Sequence, residues 1–210
     1  MWEYLNLLRG LWFYMLAGAA LILSATVCGW FAGRNTSFAL TRSIRWWLID
    51  VMLALIRRRS WIGRTVTIFV NNITILSGIV LLGYVNLSLV ATALVGFAMG
   101  VALRVLGNSP DAFFAPPSGD GGPEAARRVG KVRLGIAFNL LEPPAIIAAI
   151  GLGWGVQEHA DVSERAWPLF MICIVPPMLL AAGGEALWIG ECLPRSDVMG
   201  NNRNSATRNV

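Results

Sequence analysis

An acidic residue beside two prolines is the feature of this sequence that most suggests chemistry. Glu142 is followed directly by Pro143 and Pro144, and all three lie inside a long apolar stretch. The prolines cannot donate hydrogen bonds to the carbonyls of Asn139 and Leu140, so a helix here is expected to kink. A carboxyl group in lipid costs about 2.5 to 3.5 kcal/mol on insertion scales. We therefore expect Glu142 to face the protein or a wet cavity.

A second apolar stretch repeats this arrangement. Pro176 and Pro177 are followed some residues later by another acid, Glu185. Two adjacent broken helices can form a substrate or ion site from freed carbonyls and helix ends. The same breaks can be packing kinks with a structural hydrogen bond, and the sequence leaves both interpretations open. For Glu185 the structural interpretation is favoured, because this residue is predicted near a membrane end.

A pair of asparagines forms the third polar feature inside an apolar stretch. Asn71 and Asn72 are adjacent, and an asparagine between membrane helices contributes about 0.6 to 2 kcal/mol as a hydrogen bond. We expect the pair to link helices rather than to bind a ligand. Glu142 and the freed carbonyls are the predicted acceptors.

The remaining reactive residue types predict neither catalysis nor metal binding. No Ser, Cys or His has a recognisable base and orienting partner in the sequence. Cys28, Cys173 and Cys192 are odd in number and lie in or beside apolar stretches, which argues against a disulfide framework and a thiolate site. His159, in a short acidic loop, is expected to be solvated. The prediction is a protein that is not an enzyme and has no cofactor.

The composition indicates that lipid surrounds most of the chain. Of the 210 residues, 56% are apolar and only 14% are charged, which is too little charge to cover a soluble domain of this size. The net charge of +5 is explained first by membrane orientation and anionic headgroups, not by nucleic acid. The expected partners are the bilayer and either other membrane proteins or further copies of this chain.

About 20 apolar residues are needed to cross the hydrocarbon core, and five stretches meet this length. A further segment, 38–56, is interrupted by Arg45 and Asp50 and is predicted to be an amphipathic helix at the membrane surface. Gly96 and Gly100 are predicted in the contact face of a tight hairpin. The fold prediction is an all-α bundle over 1–189, a loop over 107–133 and a disordered tail over 190–210. The predicted spans are 11–31, 65–85, 87–106, 134–156 and 167–189.

The basic residues fall mostly on one side of this five-span arrangement. Only Arg9 and Arg165 fall on the other side. Because cytoplasmic loops are enriched in Lys and Arg, we expect the N-terminus outside and the C-terminus inside the cytoplasmic membrane of a bacterium or archaeon. The basic residues predicted at the membrane surface before the second span include Arg42, Arg45, Arg57, Arg58, Arg59 and Arg64.

Two short stretches resemble a known family. The segment 68–72, which contains Asn71 and Asn72, and the later segment Glu142-Pro143-Pro144-Ala145 with its following glycines are similar to the stage II sporulation protein M family. The resemblance places the family's asparagine on Asn71 or Asn72, its glutamate on Glu142 and its Pro-Ala on Pro144-Ala145. In place of the family's His-Gly, this chain has Phe138 and Asn139, so any role of that histidine is absent.

The resemblance implies a small five-span membrane scaffold that recruits peptidoglycan-degrading partners in spore-forming cells. The leading hypothesis from the sequence is therefore a non-enzymatic scaffold or assembly subunit with Asn71, Asn72 and Glu142 in its polar core. The alternatives are a small permease that uses the broken helices and an accessory subunit of a larger membrane complex. A water-reachable path to Glu142 would favour the permease.

Overall fold

The chain forms a bundle of helices. The computed structural model describes residues 9–34, 39–47, 60–107 and 123–192, together with residues 6, 51 and 56, and no strand occurs among them. The helices with defined bounds are α1 (Trp12–Ala32), α2 (Ala39–Trp46), α3 (Trp61–Gly83), α4 (Ser88–Gly107), α5 (Pro123–Asn139), α6 (Glu142–Glu158), α7 (Ala160–Cys173) and α8 (Val175–Cys192).

Within the described part of the chain, four helical stretches are long and apolar enough to cross a membrane, namely Trp12–Ala32, Trp61–Gly83, Gly130–Glu158 and Ala160–Gly190. At a rise of 1.5 Å per residue, α1 is about 32 Å long, close to the thickness of the hydrocarbon core. The apolar part of α4, Ser88–Arg104, is shorter. The prediction of an all-helical fold is confirmed for the described residues, and the four apolar stretches support a membrane protein. The fifth span stays a prediction.

The third and fourth of these stretches are each interrupted before a proline pair. After α5 ends at Asn139, a turn at 140–141 leads into α6, whose first turn holds Glu142 and the prolines. A single turn residue, Ile174, separates α7 from α8. Proline is tolerated in a first helical turn, where the amide has no intrahelical partner to lose. The predicted interruptions are therefore both present.

The loop predicted over 107–133 is wrong in its second part, since α5 begins at Pro123. Proline at the first helical position is pre-organised for a helix, and the alanines and arginines that follow are good helix formers. Pro123 and the residues after it are therefore a helix start signal in the sequence, whereas the glycines just before Pro123 favour a loop. Residues 108–122 lie outside the described part of the chain.

The closest packing in the bundle is between α1 and α4, at positions that lack a side chain. A Cβ atom on Gly100 would meet the backbone of Thr26, and one on Gly29 would meet the backbone of Phe97. A Cβ atom on Gly96 would meet Ile22 and Ala25. The predicted use of Gly96 and Gly100 within the α3–α4 hairpin is therefore wrong. These glycines instead admit the first helix, as small residues commonly do in membranes.

The turn between α3 and α4 occurs where the sequence places it. Asn86 has a φ of 59°, in the left-handed region that asparagine tolerates better than most residues. The amide of Leu87 closes the turn on the carbonyl of Leu82 at 2.8 Å. Beyond the turn, α3 packs mainly against α6 and α8, and Gly83 approaches the backbone of Gly153.

The interior is built from α3, α6, α7 and the start of α8. Its fully buried side chains include Ile79 and Val80 of α3, Ile150 of α6, Leu169 of α7 and Met178 of α8. Large apolar residues also cover the outside of the bundle, where Leu23 and Ile62 are each 66% exposed. An apolar exterior of this kind is matched to lipid and not to water.

Two predicted segments are described only in part. The surface helix predicted over 38–56 is seen as α2, an eight-residue helix that packs against α4. Residues 48–50, 52–55 and 57–59, including Arg57, Arg58 and Arg59, lie outside the described residues. In the predicted tail, α8 continues to Cys192, and residues 193–210 are likewise outside the described residues.

Candidate functional site

A chain of polar side chains crosses from α3 to the start of α6. Asn71 donates from Nδ2 to Oδ1 of Asn72 at 3.1 Å, and Asn72 donates from Nδ2 to Oε1 of Glu142 at 3.2 Å. All three residues are partly buried. Of the acceptors that the sequence suggested for the asparagines, Glu142 is the one that Asn72 contacts. We call Asn71, Asn72 and Glu142 the polar link.

The break before α6 explains why a carboxyl group can lie at this depth. Glu142 is in the first turn of α6, where the unpaired amides and the helix dipole favour a negative group. The amide of Asn72 adds a hydrogen bond to the same carboxyl. Pro143 and Pro144 are exposed on the outer side of this turn. The prolines therefore favour a helix start at this point, and the first turn of α6 stabilises the carboxyl group of Glu142.

The second predicted acid lies near the first. Glu185 on α8 is partly buried, and its carboxyl interacts electrostatically with that of Glu142. The sequence placed Glu185 at a membrane end, with no partner assigned. Because α8 packs against α3, α5 and α6, the bundle brings the two acids together although 42 positions separate them. Like charges repel in a medium of low dielectric constant, so a charge on either acid disfavours a charge on the other.

The other predicted residues at the breaks have different surroundings. The Oδ1 atom of Asn139, at the end of α5, is buried and has no hydrogen-bond partner. Pro176 is exposed and Pro177 is partly buried, both in the first turn of α8. The second break contains no acid of its own. The two breaks are therefore alike in backbone but not in polar content.

Several of the described arginines lie at one end of the bundle. Arg64 donates from Nε to the carbonyl of Ile56 at 3.1 Å and lies against Gly190. Arg104 stacks on Trp30, with 5.1 Å between the guanidinium carbon and the ring centroid, and its Nε atom is buried without a partner. Arg42 is exposed on α2. We call this the arginine end; the side chain of Arg45 is outside the described set.

The opposite end is held by hydrogen bonds between loops and helix ends. Tyr14 Oη and His159 Nε2 are 3.0 Å apart, and Tyr84 donates from Oη to the carbonyl of Ser163 at 2.8 Å. His159 is exposed, as expected for a loop residue, but it has a specific partner that the sequence did not indicate. We call this the histidine end. It joins the start of α1, the α3–α4 turn and the α6–α7 junction.

A cavity of about 500 Å³ lies between α2, α3 and α4. Its polar lining consists of Asn71 and Asn72 on α3 and Ser43 on α2, and the remaining lining residues are apolar. Trp47 closes the α2 side. The polar link is therefore in contact with a cavity, although Glu142 does not line it. The sequence predicted no such space, because it depends on how α2 lies against the hairpin.

The described residues contain no group of three His, Cys, Asp or Glu side chains that could hold a metal ion. Cys28 is exposed, Cys173 is partly buried and both are free thiols. The groups that converge in the bundle are amides and carboxyls. Such groups can form hydrogen bonds between helices, bind a cation or carry a proton.

The comparisons with known proteins give no relative. No protein-family model matches the chain, and no curated protein or solved structure is similar to it. The resemblance to the stage II sporulation protein M family therefore stays a prediction based on the two short stretches around Asn71 and Glu142.

Proposed function

We propose that this chain is a non-enzymatic membrane scaffold or assembly subunit whose polar link holds the bundle in shape. The observation that carries the proposal is the hydrogen bond from Asn72 to Glu142, which joins an unbroken helix to the start of a broken one. The amide and carboxyl groups of the polar link are thus engaged with each other. Buried polar groups that are satisfied in this way favour one arrangement of helices over alternatives.

The proposal includes five spans with the arginine end in the cytoplasm. Arg34, Arg42, Arg64 and Arg104 support this orientation, because basic residues are retained on the cytoplasmic side. The opposite end carries Glu158, Asp161 and Glu164 as well as Arg165. In this arrangement α4 is the span added to the four longer apolar stretches. Its apolar part is shorter, but its close packing on α1 supports a position inside the membrane.

The partners of such a subunit are other membrane proteins or further copies of this chain. The resemblance to the stage II sporulation protein M family supports a scaffold for peptidoglycan-degrading partners. The basic segments at the arginine end provide a surface for cytoplasmic partners or anionic lipid. Unbroken α1 and α4 supply a rigid support on which such contacts can be arranged.

A small permease is the second candidate, and one observation favours it. Two broken helices lie side by side, and the carboxyls of Glu142 and Glu185 interact across them. Discontinuous helices of this kind form ion and substrate sites in secondary transporters. A permease also needs water to reach Glu142 from at least one side of the membrane.

The solvent reach of position 142 separates the two functions. Glu142→Cys would be prepared in a background in which Cys28, Cys173 and Cys192 are replaced by serine, and probed in oriented vesicles with a membrane-impermeant thiol reagent. The scaffold predicts protection from both sides in a protein that is still inserted and monodisperse. Rapid labelling from either side would contradict the scaffold and favour the permease.

Two control variants calibrate the labelling. His159→Cys, at the exposed histidine end, should react from one side only, and Arg133→Cys, exposed on α5, should react from the other. The pair also tests the orientation, because Arg133→Cys is expected to react from the cytoplasmic side. Asn139→Cys probes the same break without removing the carboxyl. It should be protected if the polar link is sealed.

A further inference from the structure

The cavity between α2, α3 and α4 has the position of a lipid site. Three of the residues that line it, Ile75, Leu94 and Met99, are 37%, 53% and 38% exposed, so the space opens on the outer surface of the bundle. In a membrane-spanning chain, this surface faces acyl chains. A space lined by apolar side chains and open to the bilayer is filled by hydrocarbon more favourably than by water.

The depth of the cavity matches one leaflet. Along α4 its lining runs from Leu94 to Ala102, which is about 12 Å at the helical rise. Half of the hydrocarbon core is about 15 Å thick. The cavity begins beside Ser43 and Trp47 at the arginine end, passes Asn71 in the middle of α3, and reaches Ile75 of α3 and Leu94 of α4. It therefore extends from headgroup depth to mid-membrane.

The mouth of the cavity favours a negatively charged headgroup. Arg42 is exposed and directly precedes Ser43, whose hydroxyl side chain lines the mouth. Trp47, on the same side, is a residue type that concentrates at headgroup depth. The arginine end as a whole is basic, and each basic residue near a membrane surface attracts anionic lipid by about 1 kcal/mol.

We propose that this cavity binds one acyl chain of an anionic phospholipid from the leaflet at the arginine end, with the headgroup at Arg42 and Ser43. The volume of about 500 Å³ is comparable to that of one long acyl chain. Asn71 and Asn72 form part of the cavity wall on α3. Each of these amides donates a hydrogen bond within the polar link.

Native mass spectrometry of the full-length protein tests the site. The protein, stripped of lipid in a mild detergent, would be titrated with phosphatidylglycerol or with phosphatidylcholine of identical acyl chains. The expected result is one high-affinity phosphatidylglycerol per chain. Ala98→Phe fills the cavity and should weaken this binding about tenfold or more. Ala20→Phe, on the exposed face of α1, should leave it unchanged.

A second pair of variants tests the headgroup without altering the cavity wall. Arg42→Gln should weaken phosphatidylglycerol binding about fivefold, the equivalent of about 1 kcal/mol, and leave phosphatidylcholine unaffected. Arg133→Gln removes a charge from α5 and should have no effect. Equal binding of both lipids to the unmodified protein would overturn the proposal. So would undiminished binding in a folded Ala98→Phe variant, or a cavity occupied by a second copy, detected as a dimer that Ala98→Phe dissociates.

Discussion

The α1–α4 pair and the broken helices α5 to α8 are held together by different kinds of contact. Both α1 and α4 are unbroken, and they approach each other through Gly29, Gly96 and Gly100 until backbone meets backbone. The broken helices instead place polar groups and helix ends inside the bundle, and Glu142 is held there by Asn72. The first pair obtains its specificity from shape. The second region adds hydrogen bonds to close glycine contacts such as that between Gly135 and Gly184.

The difference indicates where the molecule can tolerate change. Tight packing without side chains allows almost no added volume, because neighbouring backbone cannot move aside. A hydrogen bond between membrane helices contributes less, about 0.6 kcal/mol on average. We therefore expect substitutions in the α1–α4 contact to be more harmful than those in the polar link, although only the polar link contains groups suited to chemistry.

The largest effect is expected at Gly100. Gly100→Ala places a Cβ atom against the backbone of Thr26 and should lower the free energy of unfolding by about 3 kcal/mol, the upper part of the range for overpacking. Unfolding by SDS in mixed micelles measures this loss. Gly78→Ala is the matched control on α3, where a Cβ atom meets nothing within 4 Å, and it should change stability by less than about 0.5 kcal/mol. If Gly100→Ala and Gly78→Ala changed the free energy of unfolding equally, the α1–α4 contact would not be unusually sensitive to added volume.

A smaller effect is expected at the prolines of the first break. Pro143→Ala and Pro144→Ala should each lower stability by about 0.4 to 1 kcal/mol, because both prolines are compatible with the first turn of α6 and restrict the unfolded chain. The same unfolding assay applies. The interruption at 140–141 should persist in each single variant, and spin labels on α5 and α6 can report their distance. A straightened helix would show that one proline alone sets the break.

The smallest effect is expected at the histidine end. Tyr14→Phe removes the hydroxyl that contacts His159 at an exposed position, and it should cost no more than about 0.5 kcal/mol. Tyr84→Phe, which loses the bond to the carbonyl of Ser163, is the matched comparison and should cost a similar amount. If Tyr14→Phe lowered the free energy of unfolding by more than about 2 kcal/mol, the histidine end would also determine how the helices pack.

The sequence predicted the features that local chemistry determines. A proline has no amide proton to donate within a helix, so both interruptions could be located from the pairs that begin at Pro143 and Pro176. The single Pro168, by contrast, lies inside α7 without ending it. The partnership of Asn72 and Glu142 followed from the cost of leaving either one unpaired in lipid. The position of the α3–α4 turn at Asn86 followed from the lengths of the two apolar stretches.

The features that depend on which helices are neighbours could not be predicted. Gly96 and Gly100 were correctly identified as a contact face, but their partner is α1 and not α3, and spacing along one helix carries no information about its neighbour. The same reason applies to Glu185, whose proximity to Glu142 depends on how α8 packs. The cavity depends on how α2 packs, and the sequence of such a short helix does not indicate its packing partner.

A double-mutant cycle between Asn72 and Glu142 tests the central claim most directly. Asn72→Ala, Glu142→Ala and the double variant would be compared by SDS unfolding, with Asn72 and Tyr84, which belongs to the histidine end, as the control pair. The account predicts a coupling energy of about 0.6 to 1.7 kcal/mol for Asn72 with Glu142, the range found between membrane helices, and a smaller value for the control pair. Additive effects of Asn72→Ala and Glu142→Ala would show that the polar link does not hold the bundle together and would contradict the account.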